Sequence, residues 1–403
     1  MLAQLSTAEK LALLDGDTPF WAGLIDIATH DASHRHPWPA AQLPRLGLGG
    51  LHFVDGPRGV GLEGGATTFP VPMARGASWD PQLEERIGEA IALEARSFGA
   101  NWVAAVCVNL LRHPGWGRAQ ETYGEDPVHV GALGEAITRG LQRHTLACVK
   151  HFALNSIDSS RFLVDVRASP RVLHELYLPQ FRACVEAGAA SVMSAYNRVN
   201  GTWCGQHPQL LDGILKRRWG FTGFVVTDFI FGVRDGVAAL MAGQDLEMPF
   251  RMVFEGVLAD ALADGRLPPE RVDDAVLRLL RAQLSLPAGD YPPSLRRCPA
   301  HLQLAREAAT RSIVLLRNAG PVLPLSGLNS LAVVGRLAAQ PNLGDRGSSD
   351  PRPPAGAVGT PLDGRRAAAP QLAITASASE APAAAAAAAA GCQAAVGVVG
   401  LDW

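Results

Sequence analysis

Short β-like runs alternate with longer helix-like stretches over the first 287 residues of the chain. The β-like runs span residues 51–55, 102–109, 146–152, 191–196, 224–228 and 245–248. Within them Phe224–Val226 is a continuous apolar run, which is typical of a strand buried on both faces. The segments between them, such as 80–98, 127–143, 170–187 and 232–242, read as helices. This alternation predicts a parallel α/β fold with the size of a (β/α)8 TIM-like barrel.

The pattern changes after a last helix predicted at 266–286. Residues 285–301 are rich in proline and read as a linker, followed by a helix at 302–317. Strands are predicted at 331–335 and 394–400, with a long polar loop at about 340–366 and an alanine-rich helix at 380–391 that ends at Gly391. We therefore expect a catalytic barrel at 1–287, a linker and helix at 288–320, and part of a doubly wound α/β sandwich domain at 321–403, cut short at Trp403.

Composition narrows the classes of function. A net charge of −2 without any basic run argues against nucleic-acid binding. The N-terminal segment reads as a helix capped by Ser6 or Thr7 and not as a signal peptide, and no apolar stretch reaches the roughly 18 residues of a membrane span. The expected compartment is the cytoplasm.

The cysteines give no sign of a metal or disulfide framework. All six are scattered without a CxxC pair, and most lie in apolar runs. A pairing of Cys184 with Cys204 stays open at this stage.

Polar residues follow most of the predicted strands. Asp228 follows the run Phe224–Val226 after one residue, Thr227, and Asp55, Lys150 and His151 stand at the ends of two earlier runs. Barrel enzymes keep their working residues at the carboxyl ends of strands, so these side chains are expected to meet in one pocket. The structural alternatives are that Asp228 caps the next helix, that Asp55 holds a turn, and that Lys150 and His151 satisfy each other in the interior.

The order of several motifs resembles glycoside hydrolase family 3, the family of many β-glucosidases. The matching pieces are DGPRG (55–59), GRAQETYGEDP (117–127), KHFALNS (150–156), SVMSAYNRVNG (191–201), GFVVTDF (223–229) and GQDLEMP (243–249), with LAVVG (331–335) and LGDRGSS (343–349) in the second domain. The resemblance covers essentially the whole chain.

The resemblance implies a retaining exo-β-glycosidase that acts on a terminal sugar, most often glucose. Asp228 matches the nucleophile, which would form a covalent glycosyl-enzyme with the substrate. The positions that match the sugar pocket are Asp55, Arg118, Lys150, His151, Arg161, Met193 and Tyr196. Glu121, Glu125, Asp245 and Glu247 are assigned to structure. Carboxylates suffice for this chemistry, so no cofactor and no metal are expected.

Two departures from the family pattern bear on the reaction. Phe229 follows the nucleophile where the family often has tryptophan, which affects the leaving-group side of the site. The acid/base glutamate of two-domain members has no match here, and it is expected beyond Trp403. Single-domain relatives use a histidine after a KHFPGHG-like motif, whereas this chain reads KHFALNS; Glu380 is a poor substitute.

Several alternatives remain open from the sequence. The chain could be an inactive, sugar-binding fragment or relative, or a β-glycosidase for another sugar, such as β-xyloside or β-N-acetylglucosaminide. A barrel enzyme for phosphorylated substrates would need a glycine-rich phosphate cradle after the late strands, and no convincing one occurs. The expected partner is a small β-glycoside or oligosaccharide.

Overall fold

A curled six-stranded sheet organises the N-terminal two-thirds of the chain. The computed structural model describes residues 1–320, 322–344 and 347–400. The strands of this first sheet are β1 (Trp38–Ala40), β2 (Leu51–Asp55), β3 (Trp102–Cys107), β4 (Leu146–Phe152), β6 (Ser191–Ser194) and β9 (Phe224–Val226), in that spatial order. β1 is antiparallel to β2 and every other pair is parallel. Five of the six predicted strand positions are thus confirmed.

The sixth predicted strand, at 245–248, is wrong. Leu246 makes only a single bridge to Val226, and further single bridges join Thr18 to Phe250 and Gly16 to Ala40. Pro249 follows immediately and has no N–H to extend a ladder. The described residues therefore form an α/β fold with an open, curled sheet, and the closed (β/α)8 barrel expected from the sequence is not complete.

Helices form a layer around this sheet. Those of the first 311 residues are α1 (Thr7–Ala12), α2 (Phe20–His30), α3 (Pro72–Gly76), α4 (Pro81–Ser97), α5 (Pro127–Gln142), α6 (Pro170–Val172), α7 (Pro179–Glu186), α8 (Gly236–Ala242), α9 (Val257–Ala263), α10 (Pro269–Ser285) and α11 (Pro299–Arg311). Two π-helical segments, Leu173–Tyr177 and Gln209–Arg218, complete this layer. Short 3-10 turns occur at Leu2–Gln4, Ala32–His34, Pro44–Leu46, Ala119–Glu121, Cys204–Gln206 and Pro293–Leu295.

Local chemistry explains where these helices begin. Ser6 and Glu9 form a reciprocal capping box at α1, which confirms Ser6 rather than Thr7 as the cap. Asp80 and Asp126 accept backbone N–H bonds at the starts of α4 and α5, each followed by proline at the first helical position. These caps fix the helix N-termini on the side of the sheet to which the preceding strands lead.

Two helix predictions need correction. The helix predicted at 170–187 is interrupted, because Pro179 has no N–H for the helical ladder and the chain passes through the π-helical turn before α7 begins. The helix predicted at 302–317 starts at Pro299 and ends at Arg311. Ile313 and Val314, just beyond it, are β-branched and have lower helix propensity.

Two apolar layers enclose the first sheet. In β3, Val103 and Ala105 belong to the layer shared with the outer helices, whereas Trp102 and Ala104 belong to the layer on the concave side. Every residue of β3, β4, β6 and β9 is buried. The continuous apolar runs of the sequence therefore reflect cover on both faces.

A second, smaller parallel sheet follows the α11 segment. Its strands are β10 (Ser330–Val334), β11 (Ala373–Ser377) and β12 (Ala394–Gly397), in the order β11-β10-β12, and its helices are α12 (Arg336–Ala339), α13 (Pro361–Ala368) and α14 (Pro382–Ala389). β11 was not predicted, because Ala-Ile-Thr-Ala-Ser is neither a continuous apolar run nor β-rich enough to stand out. The predicted loop at 340–366 ends earlier, since α13 begins at Pro361. Residues 345, 346 and 401–403 of the motifs discussed above lie outside the described residues.

A third sheet is minimal and lies beside the first. It contains β5 (Asp165–Val166), β7 (Arg198–Val199) and β8 (Thr202–Trp203). All six cysteines are free thiols, so Cys184 and Cys204 are not paired. Across residues 1–320, 322–344 and 347–400, no helix is both long enough and apolar enough to cross a membrane.

Candidate active site

The carboxyl ends of the parallel strands bring the predicted polar residues to one edge of the first sheet. Asp55 is the last residue of β2, Lys150 and His151 lie in β4, and Asp228 stands two residues beyond β9. Arg118 reaches the same place from the loop between β3 and α5. Because parallel strands end on one side, residues far apart in sequence become neighbours there.

Asp228 has one engaged and one open carboxylate oxygen. Its Oδ1 accepts a 2.8 Å hydrogen bond from the backbone N–H of Phe229. Its Oδ2 is buried and has no hydrogen-bond partner among the residues that the structure describes. Burial raises the pKa of Asp228 to about 6, and the nearby Arg118 guanidinium limits the rise. The carboxyl is therefore mostly ionised at neutral pH, with one oxygen free to react.

Arg118 links Glu121 to His151. Its Nε and Nη2 donate to the two Glu121 oxygens at 2.6 and 2.8 Å, and its Nη1 donates to His151 Nε2 at 2.9 Å. Burial by itself would raise the pKa of Glu121. The Arg118 charge outweighs this effect and holds the pKa of Glu121 below its ordinary value. The prediction that Glu121 serves structure agrees with this fork, in which it orients the arginine.

His151 is neutral in this arrangement. Burial, together with the Arg118 and Lys150 charges, holds the pKa of His151 well below its ordinary value. Its Nε2 accepts from Arg118, so the remaining proton sits on Nδ1, which faces Asn109 Oδ1 at 3.4 Å. The 3.6 Å approach of Nε2 to Asp228 Oδ2 is therefore a contact and not an ion pair.

Lys150 and Asp55 form a buried ion pair. Lys150 Nζ donates to Asp55 Oδ1 at 2.6 Å, and their side chains are 2% and 10% exposed. Burial alone would raise the pKa of Asp55, but the Lys150 ammonium and a hydrogen bond from Ser348 hold it below its ordinary value. The alternative in which Lys150 and His151 satisfy each other has the wrong partners, because Lys150 bonds to Asp55 and His151 bonds to Arg118.

Ser348 is a site residue that the sequence analysis did not single out. It lies in the long loop before α13, and its hydroxyl bonds to Asp55. The Ser348 carbonyl also lies close to Gly61, beyond the end of β2. The LGDRGSS motif was the only signal for it, and the separation of Ser348 from Asp55 along the chain hides the contact from sequence reasoning.

Tyr196 and Arg161 border the site beside Asp228. The Tyr196 hydroxyl donates to the Phe229 carbonyl at 2.7 Å, and burial with the Asp228 charge raises its pKa well above the ordinary value, so it stays protonated. The Arg161 guanidinium lies 5.2 Å from the Tyr196 ring centre and pairs with Asp158 at 2.7 Å. These two residues supply a phenol and a cation at the rim.

Met193 and Phe229 contribute apolar surface. Met193 is buried in the concave apolar layer with Trp102 and Phe224, so its contacts are those of a core residue. Phe229 is half-buried, and its ring packs on Phe53 with centroids 4.7 Å apart. Of the predicted pocket residues, Met193 is the one whose surroundings are chiefly apolar.

The other acidic residues named from the motifs have structural partners. Asp245 bonds to Lys216 and Arg271, each at 2.6 Å, and to the Val225 N–H at 2.8 Å. Glu247 accepts from the backbone N–H groups of Val253 and Phe254. Glu380 is exposed and pairs with Arg336 at 3.2 Å. Within the described ranges, no group of three or more His, Cys, Asp or Glu side chains could hold a metal ion.

Comparison with known proteins places both parts of the chain in the same family. The model of the glycosyl hydrolase family 3 N terminal domain matches residues 40–282, and that of the glycosyl hydrolase family 3 C-terminal domain matches residues 313–403. A Rhizobium radiobacter "Beta-glucosidase" is 36% identical over 346 residues, covering 82% of this chain and 42% of the relative. An Emericella nidulans "Probable beta-glucosidase L" is 35% identical over 357 residues, covering 83% and 47%. The chain thus spans a little under half the length of these curated relatives.

Solved structures agree with the sequence relatives. The structure of β-glucosidase 3B from Thermotoga neapolitana in complex with glucose superposes with a TM-score of 0.84 at 32% identity, covering 93% of this chain and 54% of that one. The β-D-glucoside glucohydrolase of Trichoderma reesei gives a TM-score of 0.88 at 28% identity, covering 98% and 58%. These neighbours share the fold over nearly the whole chain.

Proposed function

Because the chain belongs to glycoside hydrolase family 3, we propose that it carries the nucleophile and terminal-sugar pocket of a retaining exo-β-glucosidase. Asp228 attacks the anomeric carbon of a terminal β-D-glucosyl residue and forms a glycosyl-aspartate, which water then hydrolyses. The observation that carries this proposal is the free Asp228 Oδ2, a buried and ionisable oxygen without a hydrogen-bond donor among the described residues.

The groups around Asp228 suit a polyhydroxylated ligand. The Asp55 carboxylate and the Lys150 ammonium supply an acceptor and donors for sugar hydroxyls, and Arg118 with His151 forms a second polar wall. Arg161 and Tyr196 complete the rim, with Met193 below and Phe229 toward the leaving group. The relative from Thermotoga neapolitana that binds glucose supports glucose as the sugar in this pocket.

The general acid is not among the carboxyl groups at the site. An acid catalyst needs a raised pKa, whereas Asp55 and Glu121 have lowered pKa values and are held by Lys150 and Arg118. We therefore propose that a residue other than these protonates the leaving group. The chain by itself then transfers sugars from activated aryl glycosides and acts hardly at all on natural disaccharides, whose leaving groups need a proton.

The same proposal includes a division of the chain into three segments. We infer a catalytic unit at 1–287 whose open sheet approaches a (β/α)8-like arrangement through the single bridges at Leu246, Phe250 and Gly16. A connecting segment at 288–320 and the start of a doubly wound unit at 321–403 follow. The Ser348 bond to Asp55 is the contact by which the second unit reaches the pocket.

Covalent trapping tests the nucleophile. The chain is incubated with 2,4-dinitrophenyl 2-deoxy-2-fluoro-β-D-glucoside, and intact mass and peptide mapping follow the adduct. A fluoroglucosyl group on Asp228 is expected, and the Asp228→Asn variant should show none. The Glu125→Gln variant is the matched control, since Glu125 is an exposed acid in a neighbouring loop and its loss should leave labelling unchanged.

The outcome separates the rival readings. A properly folded chain that never forms the adduct but still binds glucose is a sugar-binding relative without nucleophilic chemistry. Preferential labelling by the 2-fluoro-xyloside or by an N-acetylglucosaminide analogue would change the sugar and keep the mechanism. An adduct on any residue other than Asp228 contradicts the assignment.

The pH dependence of labelling reports the same group. Asp228 must be ionised to attack, and its pKa is about 6. The labelling rate should therefore be constant above about pH 7 and fall as the pH drops through 6, by roughly tenfold per unit once the carboxyl is mostly protonated. A rate that stays flat down to pH 4, with the protein still folded, would contradict a nucleophile with a raised pKa.

A further inference from the structure

A surface pocket of about 430 Å³ lies between the first turns of α4 and α5. Trp79, Asp126, Val128, His129 and Leu133 contribute to its lining. The proposed reaction uses none of these side chains. The pocket is therefore a separate feature of the surface that the active-site chemistry does not explain.

Trp79 lines this pocket and is largely exposed to solvent. Trp79 is 74% exposed, and Val128 is 77% exposed. The backbone of Trp79 has φ = 54°, which is unfavourable for a bulky side chain. A strained backbone of this kind persists only where the surrounding structure holds it in place. Such residues are concentrated at binding and catalytic sites.

Neighbouring groups fix the orientation of the Trp79 ring. Its centroid lies 4.0 Å from that of His129, with 39° between the ring planes. His129 is held in turn, because its Nε2 donates to the Gly76 carbonyl at 3.0 Å. The indole is thus backed by an anchored imidazole, and its exposed part forms a rigid platform.

A carboxylate borders this platform. Asp126 Oδ1 accepts the N–H groups of Val128 and His129, both at 2.9 Å, as the cap of α5. Oδ2 takes part in neither bond and can accept from an incoming hydroxyl. An aromatic face beside a fixed acceptor matches a glucopyranose ring, which offers C–H groups on its faces and hydroxyls on its edge.

The pocket opens on the same side of the first sheet as the active site. A helix in a βα unit begins on the side to which the preceding strand leads, and β2 leads to α4 as β3 leads to α5. The segment between β3 and α5 also carries Arg118. A glycan that approaches this side of the molecule therefore meets both sites.

We propose that the Trp79 pocket is a second carbohydrate-binding site, which holds a glucosyl unit of a β-linked glucan outside the active site. The site goes beyond the proposed hydrolysis, because it needs neither Asp228 nor turnover. Trp79 provides the stacking face, His129 holds that face in place, and Asp126 accepts a hydroxyl. The chemical class of the ligand is a neutral β-glucan or its oligosaccharides.

Affinity electrophoresis tests this site with the 403-residue chain. Gels contain hydroxyethylcellulose as the β-linked polymer or soluble starch as the α-linked one, and the protein is run unlabelled and with Asp228 covalently labelled. Retardation by hydroxyethylcellulose is expected in both forms. Retardation that survives the label separates this site from the active site, and the variants below decide the question even if no label forms.

Substitutions at two exposed tryptophans provide the matched comparison. Trp79→Gly suits the left-handed backbone and should fold, while its glucan affinity falls about tenfold. Trp79→Phe should retain part of the affinity. Trp21→Ala is the control, because Trp21 is 71% exposed on α2 and its loss should leave retardation unchanged.

Three results would overturn the proposal. They are the absence of retardation in the wild-type chain, equal retardation of wild type and Trp79→Gly, and equal losses in Trp79→Gly and Trp21→Ala. Sedimentation velocity adds a further outcome. A wild-type dimer that Trp79→Gly dissociates, without any glucan retention, would assign the pocket to contact between copies of the chain.

Discussion

The first and second parallel sheets use similar strand chemistry in different surroundings. β4 and β9 of the first sheet are buried along their whole length, whereas β11 and β12 of the second contain no fully buried residue. The apolar cluster of the second sheet has four buried members, Leu331, Val333, Ala338 and Leu362. The first sheet has an extensive apolar layer on each face.

The difference shows that the same apolar pattern in a strand can stabilise the fold by different amounts. Burial of a side chain stabilises the fold in proportion to the apolar surface removed from water, so the same valine contributes more between two layers than at a half-covered edge. Charged groups depend on burial in the opposite way. A charge buried in the first unit is costly without a partner, whereas water screens the exposed charges of the second unit.

The largest expected contrast between the two regions concerns their ion pairs. Lys150→Met leaves the Asp55 carboxylate buried without its cation and should destabilise the first unit by about 3–5 kcal/mol. Arg336→Met removes the partner of Glu380, whose side chain is 73% exposed, and should change stability by less than about 1 kcal/mol.

Region-resolved hydrogen exchange under urea measures both variants. Peptides of β2 and β4 report the first unit, and peptides of β10 report the second. Equal losses in the two variants would remove the distinction between a dry and a screened region. A neutral Lys150→Met variant would mean that water reaches the Asp55 carboxylate.

A pair of matched valines tests packing in the same two regions. Val225 in β9 is completely buried, whereas Val396 in β12 is only half-buried. Val225→Ala should lower the free energy of unfolding of the first unit by about 2–3 kcal/mol, because it leaves a cavity between two packed layers. Val396→Ala should cost the second unit less than about 1 kcal/mol. Comparable losses in the exchange of β9 and β12 peptides would show that the second sheet is as tightly packed as the first.

Two aspartates with opposite pKa shifts give a contrast that is measured as a slope of stability against pH, about 1 kcal/mol per pH unit. Burial and the neighbouring Glu247 carboxylate raise the pKa of Asp15 to about 9. Since the folded state holds this proton more tightly than the unfolded chain, stability falls as the pH rises from about 4 toward 9. Asp15→Asn keeps a donor for Glu247 and should flatten that fall, so the variant is the more stable protein at pH 8.

Asp363 is the matched control for this pH dependence. Hydrogen bonds from Thr360 at the start of α13 lower its pKa, so its contribution is present at neutral pH and is lost only as the pH falls through the lowered value. Asp363→Asn should leave the loss of stability at rising pH unchanged.

Urea unfolding followed by tryptophan fluorescence suits the measurement of Asp15, because seven of the eight tryptophans precede residue 220. A wild-type stability that is flat between pH 5 and 9 would contradict a shared proton at Asp15 and Glu247.

Much of the fold was predictable because its local signals are strong. The strands β2 and β4 begin and end where the apolar runs do, and α4, α5 and α10 lie within their predicted segments. The misses have local physical causes, such as Pro179 in the helix after β5 and Pro249 beside the predicted sixth strand. The weak pattern of Ala373–Ser377 hid β11, since a half-exposed edge strand needs no continuous apolar run.

The sequence predicted which residues form the site better than it predicted their contacts and roles. Asp55, Lys150, His151 and Asp228 stood at strand ends, and the topology brings them together with Arg118. Ser348 was missed, because a contact made across so long a separation leaves no local trace. Met193 was predicted to touch the sugar, and its surroundings are those of the core; that assignment stays a prediction.

The amino-acid sequence by itself determined where most strands lie, which polar residues follow them and which family the motifs resemble, because these depend on periodicity and residue type. The tertiary structure alone decided the protonation states and partners. It showed that His151 accepts a hydrogen bond from Arg118, that Lys150 neutralises Asp55, and that Asp228 keeps one oxygen unpaired. These properties depend on distance and on exclusion of water, and both are set only when distant segments pack together.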